Sequence, residues 1–201
     1  MARLDFWYEF ASTYSYPAAM RIEERAEKYG VEVYWRPFLL GPIFADQGWT
    51  DSPFNLYPAK GRYMWRDIAR VCEACGLPFA RPAAFPQNGL LGARVALCLD
   101  PRERMLFTRA LYTSEFAGGR DIADASVVAD AIAAAGLPPD PVIEHALSPA
   151  NRAALRAQTE EAKARGLFGA PSFVCADGEL FWGHDRMEEA LAWAALRAGE
   201  A

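Results

Sequence analysis

The stretch Gly169-Ala170-Pro171-Ser172-Phe173-Val174 constrains this chain more than any other. Pro171 has no N–H and fixes its own φ, so it cannot sit inside a central strand ladder. Placed immediately before an apolar run, it ends a loop and opens a strand over 172–176, and in that setting an X–Pro bond is a candidate for the cis form. Asp177-Gly178 then gives a tight hairpin turn, a second strand follows over 179–182, and a helix runs from Asp185 to about Ala198.

The N-terminal third has its own pattern. Leu4, Phe6, Tyr8 and Phe10 alternate with Asp5, Trp7 and Glu9, which predicts a strand over 4–10. Pro17 is tolerated only in a first helical turn, so a helix begins within Thr13–Tyr16, and Met20, Ile22, Ala26 and Tyr29 carry it to Gly30. Val31, Val33 and Trp35 alternate with Glu32, Tyr34 and Arg36, which predicts a second strand. Two strands joined through a helix form a parallel pair with a right-handed crossover. Together with the proline-led hairpin and final helix, this predicts an α/β, thioredoxin-like fold. The turn where a disulfide reductase of that fold carries two cysteines reads Ser12-Thr13-Tyr14-Ser15 here.

Between these ends the pattern is helical. Leu39 to Phe54, rich in Gly, Pro and aromatics, reads as a structured loop. Helices are expected near 58–74, 90–98, 102–116, 124–135, 139–147 and 149–165, bounded by Gly and Pro. The last of them alternates charge and is expected to face solvent. The chain therefore divides into a thioredoxin-like domain (1–38 and 167–201) and a large all-helical insertion between the second and third strands (39–166), expected to form a lid over one face of the sheet.

Bulk properties exclude several classes. A hydrophobic content of 52% is ample for a core, and a net charge of −5 argues against nucleic acid or an anionic membrane as partner. No run of 18 apolar residues exists, and the first residues enter a strand without the pattern of a secretion signal, so cytoplasm is the default expectation. Cys72-Glu73-Ala74-Cys75 has the spacing of a redox or zinc motif. It sits, however, at a helix C-terminus, before Gly76-Leu77-Pro78, where the dipole opposes a thiolate. The two histidines lie far off in sequence, so no metal site is expected.

Several residues are candidates for a site, each with a plainer reading beside it. Ser12 is either an N-cap or a hydroxyl able to donate to a sulfur anion at a helix N-terminus. If Pro171 is cis, Ala170 turns its N–H and C=O towards a ligand that pairs like an added strand. Asp185 can receive an amino group or cap a helix, and His184 is a ligand contact or a solvated turn residue. Lys60 near a helix start opposes the dipole, which points to an anionic partner. Tyr14, Tyr16, Trp7 and Trp49 wall an aromatic pocket or fill a core. Arg36, Arg62 and Arg186 are equal candidates for a substrate carboxylate, and His145 reads as structural.

Six segments in order carry a resemblance. They are Ser12-Thr13-Tyr14-Ser15-Tyr16, Arg36 to Phe44, Pro58 to Met64, Gly76-Leu77-Pro78, Gly169 to Phe173 and Trp182 to Arg186. The chain resembles the 2-hydroxychromene-2-carboxylate isomerases, relatives of the kappa-class glutathione transferases within the DsbA-like thioredoxin superfamily. The resemblance implies a glutathione-dependent isomerase of an aromatic 2-oxo acid, interconverting 2-hydroxychromene-2-carboxylate and trans-o-hydroxybenzylidenepyruvate, and a homodimer. It places the catalytic serine on Ser12 and glutathione contacts on Lys60, Ala170 before Pro171, His184 and Asp185. Thr13 stands where the family usually has proline. Asp51 stands where it often has asparagine, and an acceptor-only side chain there would repel a carboxylate. The alternatives are a kappa-like glutathione transferase, and a non-catalytic thioredoxin-like binding module.

Overall fold

The computed structural model describes residues 1–199. Four strands, β1 (Ala2–Tyr8), β2 (Val31–Pro37), β3 (Ser172–Cys175) and β4 (Leu180–Trp182), form one sheet in the order β2-β1-β3-β4. β1 runs parallel to β2, with Phe6 opposite Trp35, and antiparallel to β3, with Phe6 opposite Phe173. β3 and β4 close an antiparallel hairpin. The parallel pair is joined by α1 (Ser15–Tyr29), which stops at Gly30 with a left-handed φ of 65°.

β1 is two residues shorter at its C-terminal end than the alternation suggests. The amide of Ser12 bonds the carbonyl of Glu9 at 3.0 Å, so the chain is already turning there. Phe10 prolongs the alternation because it still enters the core, where it is 1% exposed. Both faces of β1 are covered. Leu4, Phe6 and Tyr8 enter a core shared with α1 and the inserted helices, including Ile68, Phe107 and Val128. Phe6 stacks on Tyr8 and Phe173 with ring centroids 5.2 and 5.5 Å away, and Trp35 meets its edge at 5.0 Å. On the opposite face Trp7 packs with Phe38, Ile43, Ala162, Leu167 and Val174. Asp5, also on that face and 4% exposed, is held by Arg3, Arg36 and Arg165 at 2.9, 3.7 and 3.8 Å. A carboxylate that deep needs such pairing.

The inserted region folds as α2 (Leu40–Asp46), α3 (Pro53–Leu56), α4 (Pro58–Ala74), α5 (Leu90–Cys98), α6 (Pro101–Tyr112), α7 (Ala125–Ala134), α8 (Pro139–Ala146) and α9 (Pro149–Ala164). Proline opens α3, α4, α6, α8 and α9, in the first turn, where the amides have no intrahelical bond to lose. The expected loop over 39–54 contains two short helices instead. Ser52, whose Oγ accepts from the Phe54 amide at 3.3 Å, caps α3. The chain after β4 makes one 3-10 turn, His184–Arg186, before α10 (Met187–Ala198).

Two expectations about helices are corrected. α9 is not a solvated helix: Asn151, Leu155, Gln158, Thr159 and Ala162 are buried against α5 and β2. The Gln158 side-chain amide donates to the Pro37 carbonyl, and Asn151 donates to the carbonyls of Arg94 and Ala146, both at 2.9 Å. The buried stripe is partly polar, which hid it among the charges. The helix expected over 102–116 ends at Tyr112 and passes into a π-helical turn, Thr113–Ala117. That turn drives Glu115 wholly into the interior, where neither carboxyl oxygen has a hydrogen-bond partner among the described residues. Burial, then the charges of Glu9 and Asp121, push its carboxyl well above the usual range.

Two predictions follow from this packing. Native Glu115 holds its proton at a pH where the unfolded side chain has lost it, so the folded state binds more protons and its stability falls as pH rises above the unfolded carboxylate range. The linkage slope is up to about 1.4 kcal/mol per pH unit. Glu115→Gln removes that dependence, so its stability relative to the parent should rise between about pH 5 and pH 8 in urea melts. A difference that stays flat with pH refutes the assignment. Separately, a Cβ on Gly61 would overlap the backbone oxygen of Phe54, which no rotamer change can relieve. Gly61→Ala should therefore destabilise by about 1–3 kcal/mol, read by the same melts, through forcing α3 off α4.

Candidate active-site cleft

A cleft of about 1460 Å³ runs along the C-terminal end of β1, between the head of α1, the α2–α4 segment, the loop 85–90 and the proline-led turn 168–170. It brings together Ser12, Lys60, Ala170, His184 and Asp185, residues spread over more than 170 positions of the sequence. Pro171 itself stands behind this wall. It is buried, its bond to Ala170 is cis, and its carbonyl accepts from Gly183 N at 3.0 Å.

Ser12 occupies the hinge of the site. Its Oγ donates to the Ala170 carbonyl at 2.9 Å and accepts from the Ser15 amide at 3.3 Å. The capping reading of this serine is met in part, since its Oγ accepts from the first amide of α1 although Tyr14 stands at the N-cap position, and the same Oγ ties α1 to the turn before Pro171. The expectation that Ala170 offers both backbone groups to a ligand needs correction. Its carbonyl is engaged by Ser12, while its N–H bonds no other group among the described residues. Thr13 is directed away, its hydroxyl on Met64 Sδ at 3.2 Å, and is 1% exposed.

His184 is built in rather than left to solvent. Its ring stacks on Tyr14 with centroids 5.2 Å apart and planes 13° from parallel. The Tyr14 hydroxyl donates to Asp67 at 2.9 Å, and Arg70 binds the other Asp67 oxygen at 2.9 Å. Burial lowers the His184 pKa below its ordinary value, although the carboxylates of Asp185 and Asp67 pull the other way. The imidazole is thus neutral at pH 7, a donor and an acceptor rather than a cation. Asp185 makes no capping bond to the 3-10 turn or to α10. It lies exposed at the cleft, with Arg186 Nε 3.8 Å from one oxygen. Lys60, in the first turn of α4, lies over the Tyr57 ring at 4.7 Å and is fully open to the cleft mouth.

The other candidates separate cleanly. Tyr14 and Trp49 line the cleft. Trp7 belongs to the core beyond the sheet, and Tyr16 is buried with its hydroxyl on the Pro78 carbonyl at 2.8 Å. Among the three arginines, Arg36 is occupied by Asp5, Arg62 is exposed outside the cleft, and Arg186 lines it but is bound to Glu189 at 2.6 Å. His145 is an exposed residue in the last turn of α8. Asp51 reaches the lining, yet its carboxylate already accepts from Ser52 N at 2.6 Å and Asn55 Nδ2 at 3.1 Å, which tempers its charge.

Sequence reasoning missed Glu9, Asp67 and the loop around Phe85–Pro86, whose bond is also cis. Glu9 sits at the back of the cleft with its carboxyl raised to about 7 by burial, against a stabilising bond from the Ala11 backbone. Its position on the alternating pattern of β1 made it look like an ordinary polar strand residue. No cysteine lines the cleft. Burial pushes the thiols of Cys72 and Cys175 up to about 12, and that of Cys98 upward as well. Such thiols are inert as nucleophiles.

The sequence and the fold have counterparts. The DsbA-like thioredoxin domain family matches residues 3–192. The chain is 28% identical over 187 residues to a 2-hydroxychromene-2-carboxylate isomerase of Sphingobium xenophagum, covering 92% of this chain and 94% of that protein. It is 23% identical over 198 residues to glutathione S-transferase kappa 2 of Caenorhabditis elegans, covering 92% and 88%. A solved structure of a 2-hydroxychromene-2-carboxylate isomerase superposes with a TM-score of 0.83 at 20% identity, covering 98% of each chain. With its family matched over nearly its whole length and its fold shared with that isomerase, the chain belongs to the DsbA-like thioredoxin family.

Proposed function

We propose that this protein is a glutathione-dependent isomerase that interconverts 2-hydroxychromene-2-carboxylate and trans-o-hydroxybenzylidenepyruvate, or a related aromatic 2-oxo acid. The observation that carries the reading is the serine at the head of α1, hydrogen-bonded to the carbonyl before a cis-proline, in a cleft that no cysteine lines. A protein of this fold with serine there has no thiol of its own to offer. The relatives named above supply the reaction and the tripeptide.

The residues suit glutathione by charge. Asp67 is neutralised by Arg70 and Arg186 by Glu189. That leaves Lys60 and Asp185 as the cation and anion best placed to meet a carboxylate and an ammonium, as a zwitterionic peptide requires. In the same cleft the unengaged Ala170 N–H can donate to a peptide carbonyl, as at a sheet edge. His184, neutral and stacked, adds a directional donor on the Asp185 side. When bound, glutathione supplies a thiolate able to add reversibly to a carbon conjugated with a ketone, which leaves a bond free to rotate.

The chain's task is to hold that sulfur charged at neutral pH. Lowering a thiol pKa by about two units takes about 2.7 kcal/mol of differential stabilisation. Ser12 contributes by turning its proton from the Ala170 carbonyl to sulfur, and the amides at the head of α1 contribute the helix dipole. Tyr14, Trp49 and Phe54 give the aromatic acid an aromatic lining. Cytoplasmic location, the default expectation from the N-terminal pattern, and a homodimer, implied by the resemblance, belong to the same proposal. The similarity to a kappa transferase favours one other reading, in which the thioether product is released instead of eliminating.

The test is an absorbance assay of 2-hydroxychromene-2-carboxylate with and without glutathione. Ser12→Ala should lower turnover by about 10–100-fold at pH 7, the worth of one hydrogen bond to a charged group, with the gap narrowing towards about pH 9 where the thiol ionises unaided. Turnover without glutathione overturns the mechanism. Tight glutathione binding without isomerisation, but with conjugation of an electrophile, assigns the transferase instead.

A further inference from the structure

A second cavity, of about 340 Å³, lies between α5 and α9. Leu39, Pro42 and Leu90 line both it and the main cleft, so the two adjoin. Leu155 completes an apolar wall, and three arginines converge on the rest: Arg94 from α5, with Arg152 and Arg156 from α9.

This convergence works against the fold. Arg152 and Arg156 stand one helical turn apart, where like charges repel, and Arg152 lies near the positive end of the α9 dipole. Internal partners do not offset it. None of the three has a carboxylate within 4.0 Å among the described residues. Three arginines in the chain have a buried Nε without a hydrogen bond, namely Arg25, Arg36 and Arg94. The first two face Glu188 at 3.6 Å and Asp5 at 3.7 Å, but Arg94 faces no carboxylate. The one acidic residue in the lining, Glu160, is engaged by Lys163 at 3.1 Å. The wall is also firmly set, since Asn151 joins α9 to the Arg94 carbonyl at 2.9 Å and Thr159 Oγ1 accepts from Leu39 N at 3.3 Å.

We propose that Arg94, Arg152 and Arg156 form a carboxylate-binding subsite for a small acid with an apolar body. Guanidinium forks match a carboxylate in geometry and charge, and the leucine and proline wall opposite suits a ring or short chain. The volume falls at the lower end for small-molecule sites, which fits an acid of benzoate size. The carboxylate has two possible sources, a separate small acid or the anionic end of an acid lying in the main cleft. The inference does not need the isomerase reading, because it concerns binding alone.

Calorimetric titration of the protein with benzoate, without glutathione, tests it, with the double variant R152Q/R156Q as comparison. Both residues are exposed, so the variant should melt as the parent does. Benzoate should bind the variant at least about ten-fold more weakly. Benzylidenepyruvate, long enough to lie across both spaces, separates the sources. A matching loss for it places the end of a cleft-bound acid among the arginines, and an unchanged affinity beside weakened benzoate identifies a separate acid site. Equal benzoate affinity in parent and variant, or no binding to the parent below about 10 mM, overturns the proposal.

Discussion

Phe6 and Trp7 leave β1 on opposite faces, and neither retains exposure to solvent. A strand covered on both sides cannot slip by one residue, because a slip would drive Asp5 into the Phe6 core and strip it of its three arginines. Register therefore propagates. β2 and β3 are both paired to β1, so fixing β1 fixes where Pro37 ends and where Ser172 begins. The turn after Tyr8 and the turn before Pro171 arrive side by side at the same end of the sheet. The Ser12–Ala170 hydrogen bond is a consequence of that register before it is a chemical device.

That bond sets the character of the site. A serine proton has one destination at a time, so the hydroxyl proposed to favour a sulfur anion ties α1 to the proline-led turn when no anion is present. The helix dipole acts on whatever stands there. On the proposed reading, a hydroxyl in place of a thiol at this point supplies no nucleophile but leaves the surrounding stabilisation for one brought from outside. Thr13 completes the change, because its hydroxyl is spent on Met64 and cannot act as a second reactive group.

Much of this was legible from residues alone. The alternation in β1 and β2, the proline before β3 and the Asp177-Gly178 hairpin gave the sheet, since each depends on local chemistry. The bounds of α4 and α5 were visible because proline and glycine punctuate them. What failed depended on partners far along the chain. α9 read as a solvated helix because Asn151, Gln158 and Thr159 are polar, and their burial rests on the carbonyls of Arg94, Ala146 and Pro37 and the amide of Leu39. The π-helical turn at Thr113–Ala117 has no periodic signal over five residues. Glu9 and Glu115 looked like surface acids for the same reason: a carboxylate carries no mark of the depth to which its neighbours will bury it.

Ion pairing separates the arginines that are occupied from those left open to a ligand. Arg36, Arg70 and Arg186 are each tied to a carboxylate, and their guanidinium groups serve Asp5, Asp67 and Glu189. An acidic ligand gains little from a cation already neutralised, since binding it would mean breaking one ion pair to form another. Lys60 escapes that restriction at the cleft mouth, and Arg94, Arg152 and Arg156 escape it beyond Leu39 and Leu90. On the proposed binding roles, acids are drawn to two places separated by apolar surface. A ligand with one carboxylate and an aromatic body can satisfy the inner place while a peptide carboxylate satisfies the outer, without the two anions competing for the same donors.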